Sequence, residues 1–184
     1  KYSLIQFAVP MGGGLKIAVN ESFNIICSAS VLEHIQDLGA GFREMYRLLK
    51  PGGILIHNYN PFFCPNGGHG LGILDSPWAH VRMDQLDHLR YIRELRPHEA
   101  ETTVDWIKQG LNPVTISQMQ YLLVSNGFTI KFWQEKSALH SHLQDLTNEI
   151  IQDSFLQYPS LSLSDLLAEN IFLVAKKENF SSND

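Results

Sequence analysis

The sequence predicts an α/β fold built on a mostly parallel sheet with flanking helices, and three observations carry that prediction. Ile25, Ile26 and Cys27 are apolar in a row rather than alternating, the pattern of a strand covered on both faces. Leu38, Phe42, Met45, Tyr46 and Leu49 then recur with the spacing of one helix face. Pro51-Gly52-Gly53 forces the chain out of that helix and into a second apolar strand, Ile54-Leu55-Ile56. Strand, helix and strand make one crossover unit of a parallel sheet.

Each element has a local reason. Ligands in open α/β sheets sit outside the carboxyl ends of strands, so Ser28 to His34 lies where a site would be built. Asp37 reads as the helix N-cap, and Lys50 suits the negative end of the helix dipole. Residues 61–111 form an insertion far longer than the usual connection of roughly two to eight residues. It divides into a loop, Asn60 to Val81, and a helical part, Asp84 to Leu111. The helical part carries Leu86, Leu89, Ile92 and Leu95 and then, beyond Pro97, Val104, Ile107 and Leu111. A helical cap over the strand ends is the natural placement, with residues 1–60 and 112–184 forming the main domain. Thr115 or Ser117 caps a helix with Ile116, Met119, Leu122 and Leu123 inward, ended by Gly127. Phe128, Ile130 and Phe132 alternate with Thr129 and Lys131 as in a half-buried strand. Leu139, Leu143, Leu146 and Ile150 mark a further helix, whose His140 and His142 are expected to face solvent. The run Ile171 to Ala175 fits a strand between two neighbours, and a polar tail follows Lys177.

Composition sets the outer limits. The 184 residues are 44% hydrophobic, enough for a substantial core. A net charge of −5 and a pI near 5.9 offer no electrostatic footprint for nucleic acid. No apolar run approaches the roughly 18 residues needed to span a bilayer, so no membrane partner is expected. Of the two cysteines, Cys27 falls in the predicted buried strand and Cys64 in a loop, which suits unpaired thiols in a reducing, cytoplasmic setting.

Phe23-Asn24-Ile25-Ile26-Cys27-Ser28, then Val31-Leu32-Glu33-His34-Ile35, Arg43-Glu44 and Arg47-Leu48-Leu49-Lys50-Pro51-Gly52-Gly53 together resemble the class I methyltransferases that use S-adenosylmethionine. The resemblance implies that these are the fourth strand, the next helix and the start of the fifth strand of a Rossmann-like sheet. Thr115 to Phe128 is similar to the family's last helix and the Gly-Phe opening its sixth strand, and Ile171 to Lys177 to its closing strand. It implies S-adenosylmethionine as cofactor, with Ser28, Ala29, Ser30 and Glu33 lining its pocket and His34 near the transferred methyl. The family's glycine-rich turn and ribose-binding acid are not visible. Only nine residues separate Gly14 from Asn24, too few for the helix and strands that must intervene. Ser3 to Ala8 therefore reads as the third strand and Gly12-Gly13-Gly14 as the loop after it. Met11 and Gly12 stand where that loop normally supplies an Asp, and Asn24 where an acid usually opens the fourth strand. With Lys1 as its first residue, the chain is expected to continue an N-terminal portion of the same longer polypeptide that carries the missing N-terminal strands.

The insertion loop is chemically dense. Asn66-Gly67-Gly68-His69-Gly70 places an imidazole among glycines, and Asp75-Ser76-Pro77-Trp78-Ala79-His80 places a second beside an aromatic wall. Methyl transfer to a hydroxyl needs proximity and a base, and histidine titrates in the right range. His69 or His80 is the expected base, His80 ahead because Asp75 can orient a ring. His34 is the third candidate, and Trp78, Asp75 and Tyr59 are candidate substrate contacts. The competing reading is structural: the histidines cap loop backbone, and Glu33 caps the next helix. No His-x-x-x-His or Cys-x-x-Cys pair supports a metal. Arg82, Arg90, Arg93 and Arg96 alternate with Asp84, Asp87 and Glu94, a salt-bridged helix surface ahead of an anion site. The functional expectation is methyl transfer to a small-molecule, carrier-bound or glycan acceptor. The alternatives are a non-catalytic binding or scaffold module and a metal-dependent hydrolase.

Overall fold

The computed structural model describes residues 19–69, 76–137 and 140–178. The strand expected at Ser3 to Ala8, the triple glycine, Asp75 and the tail beyond Glu178 lie outside the described residues. Strand β1 (Phe23–Ala29) leads through a 3-10 turn (Leu32–His34) to helix α1 (Leu38–Leu48), and β2 (Leu49–Tyr59) returns beside β1. The insertion supplies α2 (Ala79–Arg82), α3 (Gln85–Leu95) and α4 (Ala100–Asp105), the last running into a π-helix, Trp106–Gly110. Then come α5 (Ile116–Ser125), β3 (Phe128–Ser137), α6 (His140–Asp145), α7 (Asn148–Gln157), α8 (Leu163–Leu167) and β4 (Ala168–Lys177).

The sheet order is β1-β2-β4-β3. β1 pairs with β2 in parallel, whereas β4 is antiparallel to both β2 and β3. The expected α/β sheet with flanking helices is present, Rossmann-like in its crossover. Among the described residues it is mixed rather than mostly parallel, because β3 reaches β4 without a crossover that restores direction.

One face of the sheet holds the core. Ile26, Leu55, Leu173 and Ala175 meet Leu38, Phe42 and Leu48 of α1 and Ile116, Met119 and Leu123 of α5. Phe42 is fully enclosed, a contribution of roughly 2–3 kcal/mol. The Asp37 side chain accepts from Ala40 N at 2.8 Å, the predicted N-cap. Thr115, rather than Ser117, caps α5 in a capping box with Gln118.

Several local expectations are corrected. Ile25 and Cys27 are exposed: β1 is an edge strand of the described sheet, and α1 and α5 cover only its Ile26 side. β2 begins at Leu49 rather than Ile54, with an irregular register between Phe23 and Ile25 absorbing Pro51-Gly52-Gly53. Lys50 is exposed, and the cation at the end of α1 is Lys177, whose Nζ donates to Tyr46 O at 3.0 Å and Leu49 O at 2.8 Å. A register shift between Ile130 and Phe132 reverses the strand's parity, so Phe132 is exposed and Trp133 packs on the core instead. Leu86 and Leu95 are exposed, and α3 buries His88 and Ile92. The helix expected through Leu139 to Ile150 is two helices, the second capped by Thr147. The side chains of His140 and His142 lie outside the described structure.

The insertion has its own core. Phe62, Phe63, Trp78, Val81 and Leu111 pack with Ile150, Leu161 and Leu166. Residues between β3 and β4 thus share this hydrophobic core with the insertion. Arg82 pairs with Asp153 of α7 at 3.6 Å, while Arg90, Arg93 and Arg96 are held by Glu94, Glu101 and Glu99. The arginines are accordingly a paired surface.

Candidate functional site at the carboxyl end of the first parallel strands

β1 ends abruptly. Ser30 has φ 52°, a left-handed backbone rare for a residue with a side chain, and its N–H donates to Asn58 O at 2.8 Å. This turns the chain out of the sheet and leaves Ala29 and Ser30 exposed at the strand end. The 3-10 turn follows at once, with Glu33 buried and His34 half-buried.

The turn is laced to the end of the π-helix. His34 Nδ1 donates to Gly110 O at 2.6 Å, and Gln36 Nε2 donates to Gln109 O and Leu111 O at 2.8 and 3.1 Å. Asn112 Nδ2 donates to Leu32 O and Ile35 O, both at 2.7 Å, and Asn112 N to Glu33 O at 2.9 Å. A carbonyl oxygen only accepts, so Nδ1 of His34 carries the proton and Nε2 is the basic nitrogen. π-helical turns, which widen the backbone spiral, recur at functional sites.

Two more rings complete the cluster. His69 stands edge-on to His34 with centroids 5.3 Å apart, and Trp106 lies 5.4 Å away on a tilt. His69 too has left-handed backbone, φ 52°. Its loop is compressed: a Cβ on Gly67 would fall 1.8 Å from Phe62 O. Burial, and next the neighbouring His34, push the His69 imidazole below its ordinary range. Among the described residues, His69 Nε2 and Trp106 Nε1 are buried without a hydrogen-bond partner.

Beneath the strand end, Ser28 Oγ and His57 Nδ1 are hydrogen-bonded at 2.6 Å across β1 and β2. Burial pushes His57 down to about 4, so it is neutral near pH 7. Glu33 is shifted upward by its burial; one of its oxygens meets Asn60 N at 3.4 Å, and the other has no partner among the described residues. Tyr59 is buried at the end of β2, its phenol pushed well up by burial and then by Asp165 and Glu33.

The structure therefore brings His34 and His69 together and places Ser28 to Ser30 and Glu33 beside them. His80 and Trp78 are engaged elsewhere. His80 is buried, its Nε2 donates to Phe62 O at 2.8 Å, and burial pushes it down to about 4. Its ring is committed to loop backbone, the structural reading of this histidine. Trp78 is buried, with Nε1 donating to Leu166 O, and is a core residue of the cap rather than a wall open to a ligand. Trp106, Gly110, Asn112 and His57 were not singled out by the sequence; their roles depend on partners distant in the chain. Among the described residues no three His, Cys, Asp or Glu side chains converge as a metal site, and no helix is long and apolar enough to cross a membrane.

A family model described as a methyltransferase domain matches residues 13–57, the stretch that contains β1, α1 and most of β2. A protein of Mycobacterium bovis described as an uncharacterized methyltransferase is 30% identical over 89 residues, 48% of this chain and 33% of its own length. The chain thus spans about a third of that relative. Among solved structures, an S-adenosylmethionine-dependent methyltransferase from Mesorhizobium loti aligns over 88% of this chain and 65% of its own, at 15% identity and a TM-score of 0.45. A second, from Methanosarcina mazei, aligns over 89% and 63%, at 15% identity and a TM-score of 0.44. Through its β1-α1-β2 unit, the chain is similar to methyltransferase domains.

Proposed function

We propose that the protein transfers a methyl group from S-adenosylmethionine to a small-molecule, carrier-bound or glycan acceptor, with His34 as general base and His69 beside it. The observation that carries this reading is the His34 Nδ1 to Gly110 O hydrogen bond, which leaves Nε2 as a fixed proton acceptor next to the end of β1. The strand end fits one side of the cofactor, since Ala29 and Ser30 are exposed and the chain turns away at Ser30. When bound, S-adenosylmethionine supplies an electrophilic methyl on a sulfonium sulfur, which departs with the bonding electron pair as a neutral thioether. His34 Nε2 would take the proton of the acceptor's hydroxyl, leaving the oxygen's electron pair free to attack. Gly110 O holds the imidazole still through this transfer. The His57 hydrogen bond fixes the Ser28 hydroxyl under the strand end.

The test uses the full-length protein. S-adenosylmethionine binding is measured by titration calorimetry, and labelled-methyl transfer is measured against hydroxyl-bearing small molecules, carrier-bound groups and glycans. His34→Gln is expected to lower transfer by about 10²–10⁴-fold while cofactor affinity stays within a few-fold. Cofactor binding without any transfer, or no cofactor binding, favours the non-catalytic binding module. Equal rates in His34→Gln and the parent refute the base.

A further inference from the structure

The chain has three tryptophans, and they differ in one respect. Trp78 Nε1 donates to Leu166 O at 3.2 Å, and Trp133 Nε1 donates to Glu135 Oε1 at 2.9 Å. Trp106 Nε1 is buried and donates to nothing among the described residues. An indole nitrogen has no acceptor role, and buried donors are nearly always paired. The indole packs on the hydrophobic cluster of Phe62, Trp78 and Leu111, while its ring stands 5.4 Å from His34 by centroids.

The placement of Trp106 is fixed by Gly110. A Cβ there would come within 2.7 Å of Trp106 Cε3, so only glycine lets the indole lie against this backbone. The same Gly110 carbonyl accepts from His34. Indole and imidazole are therefore set by one residue, and the π-helix supplies both ends of that arrangement. Also beside His34, His69 Nε2 is buried and has no partner among the described residues.

We infer that Trp106 is an acceptor-binding residue whose indole N–H hydrogen-bonds the oxygen of a hydroxyl-bearing acceptor while that hydroxyl donates to His34. A hydroxyl can do both at once, since it has one proton and two lone pairs. A protonated amine has no lone pair for the indole, so the site selects neutral hydroxyl compounds over ammonium compounds. The inference rests on the proposed function for the word acceptor alone, because hydroxyl binding requires no cofactor.

The test is a titration of ¹⁵N-labelled full-length protein with phenol, and separately with benzylammonium at pH 7, in the absence of cofactor. The Trp106 indole signal is assigned with Trp106→Phe or, if that variant does not fold, by elimination with Trp133→Phe and Trp78→Phe. Phenol is expected to shift the Trp106 Nε1–H saturably and to slow its exchange. Benzylammonium is expected to leave it in place, and Trp106→Phe to weaken phenol binding about fivefold. The inference is overturned if phenol does not bind, if it binds without moving that signal, or if benzylammonium moves it equally. Loss of cofactor binding with an intact phenol shift would refute the proposed function and leave this inference standing.

Discussion

Asn112 joins the cap to the β1 turn, and its replacement tests that junction most directly. The residue is buried, and its amide donates to Leu32 O and Ile35 O at 2.7 Å each. Asn112→Ala removes both bonds, each worth about 1 kcal/mol net. Leu32 O keeps a second donor, Ile35 N at 3.3 Å, but the lost partner for Ile35 O adds about another 1 kcal/mol. The total is about 3 kcal/mol, or about 6–12 °C in Tm for a domain of this size. Asn112→Asp is nearly isosteric and is expected to cost more, because it turns a carboxylate oxygen toward two carbonyl oxygens. Gln36→Ala also removes two hydrogen bonds, but Gln36 is exposed and water replaces them, so its cost is expected to stay below about 1 kcal/mol. Urea unfolding at constant m separates the three variants. An Asn112→Ala protein within about 0.5 kcal/mol of the parent, or an Asn112→Asp protein as stable as the parent, would refute the reasoning.

Acid should destabilise the fold through its buried imidazoles. His57 and His80 titrate at about 4 when folded and about 6.5 when unfolded, so between those values the unfolded chain binds more protons. Stability then falls as pH drops from 6.5 toward 4, by up to about 3 kcal/mol for each group, and His57→Gln should flatten its share of a urea-midpoint profile. Gly67→Ala is expected to abolish soluble folding, since its Cβ would meet Phe62 backbone at 1.8 Å. Gly41→Ala, inside α1 with nothing nearer than 3.4 Å, should raise stability by up to about 1 kcal/mol in a thermal melt. Lys177→Met should cost about 2–3 kcal/mol by urea unfolding, because Tyr46 O and Leu49 O lose their donor. Lys50→Met should change stability by less than about 0.5 kcal/mol.

The fold was legible where its cause is local. Asp37 caps α1, Thr115 caps α5, and the Leu38 to Leu48 face is buried, all from interactions within a few residues. Parity in β3 was not legible, since one extra residue between Ile130 and Phe132 exchanges the inward and outward sides without altering the apolar pattern. The charge at the end of α1 was misassigned for a similar reason. Lys50 is adjacent in sequence, but Lys177 is brought there by the pairing of β4 with β2. Cys27 and Ile25 read as doubly covered because a run of apolar residues is the same whether a strand is central or at an edge.

The candidate site divides along the same line. The segment Ser28 to His34 is one continuous run from strand end to 3-10 turn, so its position followed from the strand alone. Choosing among the histidines required knowledge of what each ring touches. His80 and His34 both donate to a backbone carbonyl, yet that of Phe62 belongs to a residue of the insertion's core and that of Gly110 meets the 3-10 turn after β1. His80 is buried, whereas His34 remains partly open. The same bond is thus a structural tether in one place and an orienting contact in the other. The difference is set by Gly110, which is 76 positions from His34 and has no apolar or charged side chain to mark it. Substituting Gly110 would displace Trp106 and the carbonyl that accepts from His34 together, whereas substituting Phe62 would disturb the insertion's core.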